Sequence, residues 1–411
     1  MTIGLPKKGR AWSDLREEMT ERASGDVKWR DAKTAVYVFN AGDDVRDVAK
    51  HAYAAFMSEN GLGPAAFPSL KQMEDEVVSI GLDLLNGPEG AAGNITSGGT
   101  DSITMAIKAA RDYARSIGKA KTKANIVVPW SAHPAFTKAS MMMDLEERRV
   151  PCKDLYADPA AMAELIDENT IMIVGSAPCF PYGLIDPIAE LGAVAAEKDV
   201  WLHVDACVGG YFAPFARMNG VDLVPFDFEV EAVKSISADL HKYGYCAKGA
   251  STVFFRTEAL RAHMIFECAD WPGGHMVTPT LAGTRPGGAI SAAWAVMHYL
   301  GEEGYRAKQQ QVCDTRQYIG DAAQAMGFEI LGEPKLGLIA FHHPQYDSYA
   351  LLGKMMAKGW ITAVSTEPKA LHLMLSPAHW DVKEQYVADL KAAMDEVGDG
   401  KAAEGFKAKY S

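Results

Sequence analysis

The sequence predicts an α/β fold with a mainly parallel sheet covered by helices on both faces. From about residue 70 onward, short β-rich segments alternate with segments of helical periodicity, which is typical of this fold class. In such sheets, ligands bind beyond the carboxyl ends of the strands. Helices are predicted at 102–115 and 187–197. The predicted strands are 125–128, 171–174, 200–204, 235–238 and 251–256.

The length of the chain predicts more than one domain. At 411 residues it is too long for one small core. We expect an N-terminal segment at 1–60, which is polar and includes a predicted helix at 43–58. A large domain follows at 61–290, and a smaller α+β domain at 291–411. Helices dominate the smaller domain, with one β-like pair at 336–342 and 370–375.

The composition is that of an ordinary globular protein, with 48% hydrophobic and 23% charged residues. The net charge of −12 argues against a nucleic-acid surface and against binding to anionic membranes. Six scattered cysteines form no CxxC pair and no short Cys/His spacing typical of a metal site, so we expect reduced thiols and no metal site. The chain has no apolar run of membrane-spanning length and no signal-type apolar core near its start. We therefore expect a cytoplasmic protein without an integral membrane segment.

A lysine follows the predicted strand 235–238. His241 and Lys242 are adjacent there, and glycines come next. Enzymes that use pyridoxal phosphate (PLP) place the lysine that binds the cofactor in such a loop. That lysine must be partly desolvated, because only the neutral amine attacks an aldehyde. The alternative interpretation is a solvated loop lysine.

A second segment, 94–102, has the composition of a phosphate-binding loop. It contains two glycines, and it leads into a helix with an apolar stripe. Glycines let backbone N–H groups approach an anion, and the start of a helix adds a favourable dipole, so Gly99 and Thr100 are candidate phosphate ligands. The segment lacks the Walker lysine and the Rossmann glycine spacing, which argues against a nucleotide. The alternative is a Gly-Gly turn with a Ser/Thr cap.

Polar residues follow two more predicted strands. Asp205 ends the strand 200–204, where a carboxylate could keep a pyridine nitrogen protonated and so strengthen PLP as an electron sink. His133 follows the strand 125–128, and its flat ring could lie on the pyridine face. The alternatives are a capping aspartate and a surface histidine.

Two further residues are candidate phosphate ligands. His241 can donate a hydrogen bond to the phosphate from its place beside Lys242. Thr284 lies in a turn-rich segment, 282–288, that could equally be a connector between domains.

Together these segments resemble the sphingosine-1-phosphate lyases of the PLP-dependent group II decarboxylase family. The resemblance covers nearly the whole chain, and the motif Ser-Ala-Asp-x-His-Lys-Tyr-Gly-Tyr is highly specific. The N-terminal membrane helix usual in eukaryotic members has no counterpart here. Closely matching stretches are 96–102, 131–133, 203–210, 235–249 and 283–288, with looser similarity at 35–37, 67–68, 179–187 and 358–360.

The resemblance implies a PLP enzyme of fold type I, like aspartate aminotransferase, that works as a homodimer with active sites at the subunit interface. It implies that Lys242 binds the cofactor, that Asp205 partners the pyridine nitrogen and that His133 stacks on the ring. The implied phosphate contacts are Gly99, Thr100, His241 and, from the partner subunit, Thr284. The residues implied in substrate-phosphate binding or proton transfer are Tyr37 and Lys248.

Two positions depart from the family pattern. Gly63 stands where a substrate-facing histidine is expected, and Tyr182 replaces a frequent histidine. Neither change touches the cofactor motifs. Each removes an imidazole that could hydrogen-bond the substrate or exchange a proton with it.

The implied reaction cleaves a phosphorylated long-chain amino alcohol. The substrate amine displaces Lys242 from PLP, a base takes the proton of the C3 hydroxyl, and the Cα–Cβ bond breaks in a retro-aldol step. The products are an aldehyde and a phosphorylated ethanolamine. One alternative is an amino-acid decarboxylase, whose substrate carboxylate would need an anion site at Lys248 or Arg285. The other is a non-catalytic protein on the same fold.

Overall fold

The computed structural model describes residues 4–119 and 123–398, so the last part of the predicted domain 291–411 lies outside the described residues. The helices in this part of the chain are α1 (Trp12–Arg22), α2 (Asp43–Ala55), α3 (Pro68–Leu84), α4 (Gly99–Ser116), α5 (Ala135–Met142), α6 (Pro159–Glu164), α7 (Ile188–Glu197), α8 (Ala213–Met218), α9 (Glu258–Ala262), α10 (Gly287–Ala325), α11 (Ser348–Ala357) and α12 (Lys383–Val397). The strands are β1 (Ala92–Thr96), β2 (Asn125–Pro129), β3 (Glu146–Val150), β4 (Thr170–Ser176), β5 (Trp201–Asp205), β6 (Val233–Ala238), β7 (Ser251–Phe255), β8 (Phe266–Cys268), β9 (Met276–Thr278), β10 (Glu329–Ile330), β11 (Leu338–His342), β12 (Ala363–Thr366) and β13 (Lys369–Met374).

A seven-stranded sheet in the order β1-β7-β6-β5-β4-β2-β3 forms the centre of the fold. The strands from β6 to β3 pair in parallel, which confirms the predicted mainly parallel α/β architecture. Strand β7 runs antiparallel to both of its neighbours. It can do so because a loop without a crossover helix, 239–250, joins it directly to β6.

Burial explains why the predicted strands and helices form. Every residue of β2, β4, β5 and β7 is buried, so these strands are apolar runs covered on both faces. The predicted helix 102–115 lies within α4. The apolar stripe of that helix is buried and comprises Ile103, Ala106, Ile107, Ala110 and Ala114.

Sequence patterns did not predict two strands of this sheet, β1 and β3. Strand β3 lies at the edge and has the sequence Glu-Glu-Arg-Arg-Val, whose charges are typical of a protected edge and hide the strand pattern. Strand β1 contains Gly93, where a Cβ atom would lie 2.6 Å from Cδ1 of Phe254. Close packing against the Phe254 ring therefore requires glycine at position 93. Because glycine has low β-propensity, it weakens the strand pattern in the sequence.

A separate four-stranded antiparallel sheet, β10-β11-β13-β12, lies near the C-terminal end of the described chain. The predicted pair at 336–342 and 370–375 is confirmed as the neighbours β11 and β13. The two larger sheets lie on either side of residue 290, but the domain boundaries stay a prediction. The N-terminal segment joins the small sheet, since Ala35 N donates to Ile361 O and Met374 N donates to Ala35 O.

The parallel strands position the candidate site residues. His133 follows β2, Asp205 is the last residue of β5, and Lys242 follows β6. Because these strands run in the same direction, their carboxyl ends meet at one edge of the sheet. In the described ranges, no helix is long and apolar enough to cross a membrane.

Arg285 forms a buried ion pair with Glu74, and both side chains are almost fully enclosed. Arg285 also donates from Nη1 to Ile95 O at 3.1 Å and from Nη2 to Gly61 O at 3.0 Å. The guanidinium therefore ties α3 and β1 to the loop around residue 61. Although Nε has no partner within the described protein, Nη1 and Nη2 are engaged in these contacts, so we do not assign Arg285 a substrate anion.

Replacing Arg285 with Met should strongly destabilise the fold, because it leaves the Glu74 carboxylate buried without its cation. We expect the free energy of unfolding to fall by about 3–5 kcal/mol, measured by chemical denaturation followed by circular dichroism. The double variant E74Q/R285M carries no buried charge and should be more stable than R285M. An R285M protein that unfolds at the same denaturant concentration as the wild type would contradict this role.

Candidate active site

A cavity of about 420 Å³ opens at the edge of the sheet where the parallel strands end. Its size is within the range of small-molecule sites, about 300–1,000 Å³. The lining combines polar groups from the loops after β1, β2, β5 and β6 with a few apolar side chains. The lining residues are Ser97, Gly98, Gly99, Thr100, Asp101, Ile103, His133, Ser176, Pro178, Phe180, Asp205, Cys207, Val208, Asp239, His241 and Lys242.

Asp205 and Lys242 face this one cavity, although 37 positions separate them in the sequence. Asp205 is 7% exposed, and its Oδ1 accepts hydrogen bonds from Cys207 N at 3.1 Å and from Ser237 Oγ at 3.3 Å. These donors hold the carboxylate in one orientation at the end of β5. The structure therefore brings together the two residues on which the cofactor prediction depends, while their chemical roles stay predictions.

Asp239 pairs with Lys242 inside the cavity. The Lys242 Nζ lies 3.0 Å from Asp239 Oδ2, and the Asp239 side chain is almost fully enclosed. Burial by itself would lower the pKa of Lys242, but Asp239 together with Cys207 and Asp205 outweighs burial, and the pKa is raised above its ordinary value. Burial acts to raise the pKa of Asp239, but Lys242 and His241 hold it below the ordinary value. The Lys242 side chain is therefore a protonated ammonium group paired with the Asp239 carboxylate. It must lose a proton before it can act as a nucleophile.

The loop before α4 brings backbone N–H groups close to this ion pair. A Cβ atom on Gly99 would lie 2.8 Å from Asp239 Oδ2 and 2.9 Å from Cys207 Sγ, so a side chain does not fit there without displacing them. Asp101 orders the loop, since its Oδ2 accepts from both the N–H and the hydroxyl of Ser97 at 2.9 Å. Gly99 and Thr100 begin an 18-residue helix, whose N-terminus favours a bound anion.

The two histidines of the cavity are neutral near pH 7. Burial lowers the pKa of His133, and its Nδ1 accepts a hydrogen bond from Ala135 N at 3.1 Å, which fixes the ring at the start of α5. Burial also lowers the pKa of His241 to about 4, and its Nε2 lies 3.6 Å from Asp239 Oδ2. A neutral His133 ring is suited to stacking on an aromatic ring, and a neutral His241 can still donate one hydrogen bond.

Three of the predicted site residues lie outside the lining of the cavity: Tyr37, Lys248 and Thr284. Lys248 Nζ lies 5.3 Å from the centre of the ring of Phe39, which follows Tyr37 by two residues in the sequence. Lys248 also donates to His241 O at 3.2 Å, which places it just behind a lining residue. Tyr37 has φ 66°, and a hydrogen bond from Val38 N to Val36 O closes a tight turn around it. Such strained turns are uncommon outside glycine, and this one leaves Tyr37 48% exposed.

The two departures from the family pattern have different surroundings. Tyr182 is buried, and its hydroxyl donates to Glu367 O at 2.7 Å, so its ring belongs to the packing behind the cavity. Burial raises its pKa to about 12, which makes it a poor proton donor or acceptor near neutral pH. Gly63 has room for a side chain, since a Cβ atom would meet only Ala66 Cβ at 3.8 Å.

Sequence reasoning missed Asp239 as a site residue. It lies in the motif that also contains His241 and Lys242, and its spacing of three residues from Lys242 was the available signal. A backbone turn brings the two side chains together, because Lys242 N donates a hydrogen bond to Asp239 O. Phe180 and Cys207 were also missed as lining residues, since neither carries a chemical signal by itself.

The residues of the cavity fit PLP. Three buried atoms of the lining have no hydrogen-bond partner within the described protein: Asp101 Oδ1, Asp239 Oδ1 and His241 Nδ1. Burying such atoms unpaired costs about 1–3 kcal/mol each, so their clustering in one cavity favours a bound polar group. The glycine loop offers N–H groups to a phosphate, Asp205 offers a carboxylate to a ring nitrogen, and Lys242 offers an amine to an aldehyde.

Comparison with known proteins agrees with this fit. Residues 3–343 match the family model described as the pyridoxal-dependent decarboxylase conserved domain. The chain is 39% identical to the sphingosine-1-phosphate lyase of Oryza sativa over 90% of its own length and 70% of that protein. It is 38% identical to sphingosine-1-phosphate lyase 1 of Rattus norvegicus over 96% of its own length and 70% of that protein.

A solved structure has the same fold. The sphingosine-1-phosphate lyase of Burkholderia pseudomallei superposes with a TM-score of 0.92 at 34% identity. The alignment covers 97% of this chain and 93% of that one. The predicted PLP-dependent fold type I architecture is therefore confirmed.

Replacing Gly99 with Ala should weaken PLP binding. The added methyl group would push against Asp239 and Cys207 and so displace the loop that is proposed to bind the phosphate. We expect the dissociation constant of PLP to rise roughly tenfold or more, measured by fluorescence titration of the apoprotein. A methyl group added at Gly353 in α11 would meet no atom within 4 Å, so G353A is the matched control and should bind PLP like the wild type. Wild-type affinity in G99A would rule out the glycine loop as the phosphate site.

Proposed function

This chain belongs to the pyridoxal-dependent decarboxylase family and, within it, to the sphingosine-1-phosphate lyases, and we propose that it is a PLP-dependent aldehyde-lyase. Its substrate would be a phosphorylated long-chain amino alcohol of the sphingosine-1-phosphate type. The reaction would break the Cα–Cβ bond and release an aldehyde and phosphoethanolamine. The observation that carries this proposal is the shared cavity of Lys242 and Asp205 in a chain similar to these lyases over nearly its whole length.

Each lining residue has a proposed part in holding the cofactor. Lys242 would bind PLP through its amine, and Gly99, Thr100 and His241 would contact the phosphate. When bound, PLP supplies an electron sink for the carbanion that carbon–carbon cleavage leaves behind. Asp205 would hold the proton of the ring nitrogen, supported by the two donors that fix its Oδ1.

His133 would lie against the ring of the cofactor. Its lowered pKa keeps it uncharged in the cavity, so it does not compete with the ring nitrogen for the Asp205 carboxylate. The hydrogen bond from Ala135 N fixes the plane of the imidazole. A fixed, neutral ring restricts the tilt of a stacked pyridine and so helps to orient the bond that breaks.

Tyr37 and Lys248 are the proposed groups for the phosphate of the substrate or for proton transfer. Desolvation and the neighbouring Lys242 lower the pKa of Lys248, which brings its amine closer to the range in which it can exchange protons. Lys248 lies against Phe39, two residues beyond the turn at Tyr37. At Gly63 there is space for a side chain in place of the expected imidazole.

The lyase is favoured over an amino-acid decarboxylase. The similarity to sphingosine-1-phosphate lyases extends over 90% of the chain or more. Of the two candidate cations for the substrate carboxylate of a decarboxylase, Arg285 is engaged with Glu74, which leaves Lys248. A non-catalytic protein would have no reason to enclose Asp205, Asp239 and Lys242 in one cavity, given the cost of burying charge.

The protein is proposed to act as a homodimer in which Thr284 reaches the active site of the partner subunit. Thr284 does not line the cavity of its own chain. The segment that precedes it exposes large apolar side chains, at Trp271, Val277 and Leu281. Exposed apolar surface of this kind is typical of a protein interface.

A cytoplasmic location is proposed from the cysteines. All six are free thiols in the structure, and Cys179, Cys207, Cys246 and Cys313 are buried. Proteins with this pattern are usual in reducing compartments.

The variant K242A should have no activity. Without the amine the protein cannot hold PLP covalently, so we expect no visible absorbance of lysine-bound cofactor and no aldehyde released from sphingosine-1-phosphate. The wild type should release one aldehyde for each phosphoethanolamine and no carbon dioxide. Lys71 pairs only with Asp75 on an exposed surface, so K71A is the control and should keep wild-type turnover. Turnover by K242A, or carbon dioxide from amino acids without aldehyde from the lipid, would contradict the proposal.

Mixing two inactive variants tests the shared active site. K242A and T284E, in which a carboxylate would repel the phosphate, should each be inactive as homodimers. If Thr284 serves the partner subunit, a mixed dimer contains one site with both native residues and should recover activity. The mass of the mixed dimers should be confirmed as twice 44.4 kDa. If such dimers recover no activity, Thr284 would belong to the site of its own subunit.

A further inference from the structure

A chain of buried polar side chains runs beneath Asp205 between β5 and β6. Trp201 Nε1 donates to Ser235 Oγ at 2.8 Å, and Ser235 Oγ lies 2.8 Å from His203 Nδ1. His203 Nε2 lies 3.3 Å from Ser237 Oγ, and Ser237 Oγ donates to Asp205 Oδ1 at 3.3 Å. The five side chains thus form one continuous path from an indole to the carboxylate.

Strand geometry produces this path. Residues 201, 203 and 205 alternate along β5 and share one face of the sheet. On the neighbouring strand β6, Ser235 lies opposite His203 and Ser237 lies opposite Asp205. The parallel register therefore interleaves the two serines with the three residues of β5.

The chemistry of the two ends fixes the direction of every hydrogen bond. An indole N–H can only donate, and an ionised carboxylate can only accept. The hydrogen of Ser237 goes to Asp205, because the carboxylate is the strongest acceptor within reach. His203 must then donate from Nε2 to Ser237 and accept at Nδ1 from Ser235, which itself accepts from Trp201.

The surroundings support this assignment. Burial lowers the pKa of His203 to about 4, so the ring is neutral and carries one hydrogen, as the path requires. Trp201, Ser235, His203 and Ser237 are at most 1% exposed. In this low-dielectric interior, aligned hydrogen bonds polarise one another and stabilise the charge at the end of the chain.

We propose that Trp201, Ser235 and His203 are positioning residues that hold the Asp205 carboxylate in the orientation in which it would meet the ring nitrogen of the cofactor. This inference rests on the proposed role of Asp205 as the partner of that nitrogen. Every donor in the path points toward the carboxylate, so the last donor, Ser237, is itself held in place and fixes Asp205 Oδ1. A reversed path would place a hydroxyl oxygen against the carboxylate and weaken the electron sink.

The pair S235A and S235T tests the path. S235A removes the hydroxyl that connects Trp201 to His203, whereas S235T keeps it. Without that hydroxyl the path no longer fixes the orientation of Asp205. The contact of Asp205 with the proton of the ring nitrogen should therefore weaken, so that the ring is less protonated and withdraws less charge from the lysine-bound nitrogen. The pH at which the absorbance of lysine-bound PLP changes should therefore rise by roughly one unit, as for a tenfold change in a protonation equilibrium.

Kinetics give a second readout. We expect kcat for S235A to fall about tenfold with little change in KM, because the path acts on the electron sink and not on substrate binding. S235T should match the wild type in both measurements. W201F keeps a ring against Tyr113 and Phe255 but removes the first donor, so it should shift the absorbance in the same direction by less.

The control is W360F. Trp360 is fully buried, and its Nε1 donates to Asp389 Oδ2 at 2.8 Å, so W360F removes a similar indole hydrogen bond remote from the cavity. It should leave both the absorbance midpoint and kcat unchanged. All these variants keep the other titratable groups around Asp205 and Lys242, which are His133, Asp186, Cys207, Asp239, His241 and Lys248.

Two different failures can be told apart. A wild-type protein without lysine-bound PLP would overturn the proposed function and this inference with it. A wild type with the expected absorbance, and an S235A protein with unchanged midpoint and kcat, would overturn the inference alone. A midpoint that moves equally in S235A, S235T and W360F would show a general packing effect and would also overturn it.

Discussion

The parallel pairing of β5 with β6 is the constraint on which the candidate site depends. Because both strands end at the same edge of the sheet, Asp205 and Lys242 reach one cavity from distant parts of the sequence. A change of register by one residue would turn these side chains to the other face. The same register interleaves Ser235 and Ser237 with the polar residues of β5, so the sheet that positions the site also orients its carboxylate.

The placement of these side chains in one cavity also determines the charges within it. Asp205 and Asp239 are both enclosed, and the Lys242 ammonium lies against the second of them. The histidines contribute no charge, because burial favours their neutral forms. We propose that the carboxylate of Asp205 serves a ring nitrogen, the amine of Lys242 an aldehyde and the glycine loop a phosphate. This is the combination that a PLP-dependent lyase requires.

Much of the fold could be predicted from the sequence, because buried parallel strands leave apolar runs such as β4 and β5 between helical segments. The edge strand β3 could not, since its charges suit an exposed edge and disguise its pattern. At the site, Lys242 and Asp205 follow strands and carry recognisable chemistry. Asp239 does not stand out, because its part depends on a turn that only the folded backbone reveals. Contributions from a partner subunit depend on an interface that one chain does not specify.

We propose that Lys242 is the amine that binds PLP, in the cavity that Asp205 also faces. The most direct measurement is reduction of the PLP-loaded protein with borohydride, which makes the lysine linkage permanent, followed by peptide mapping by mass spectrometry. We expect a pyridoxyl-phosphate group on Lys242. A label on Lys248 or another lysine, or no label at all, would contradict it.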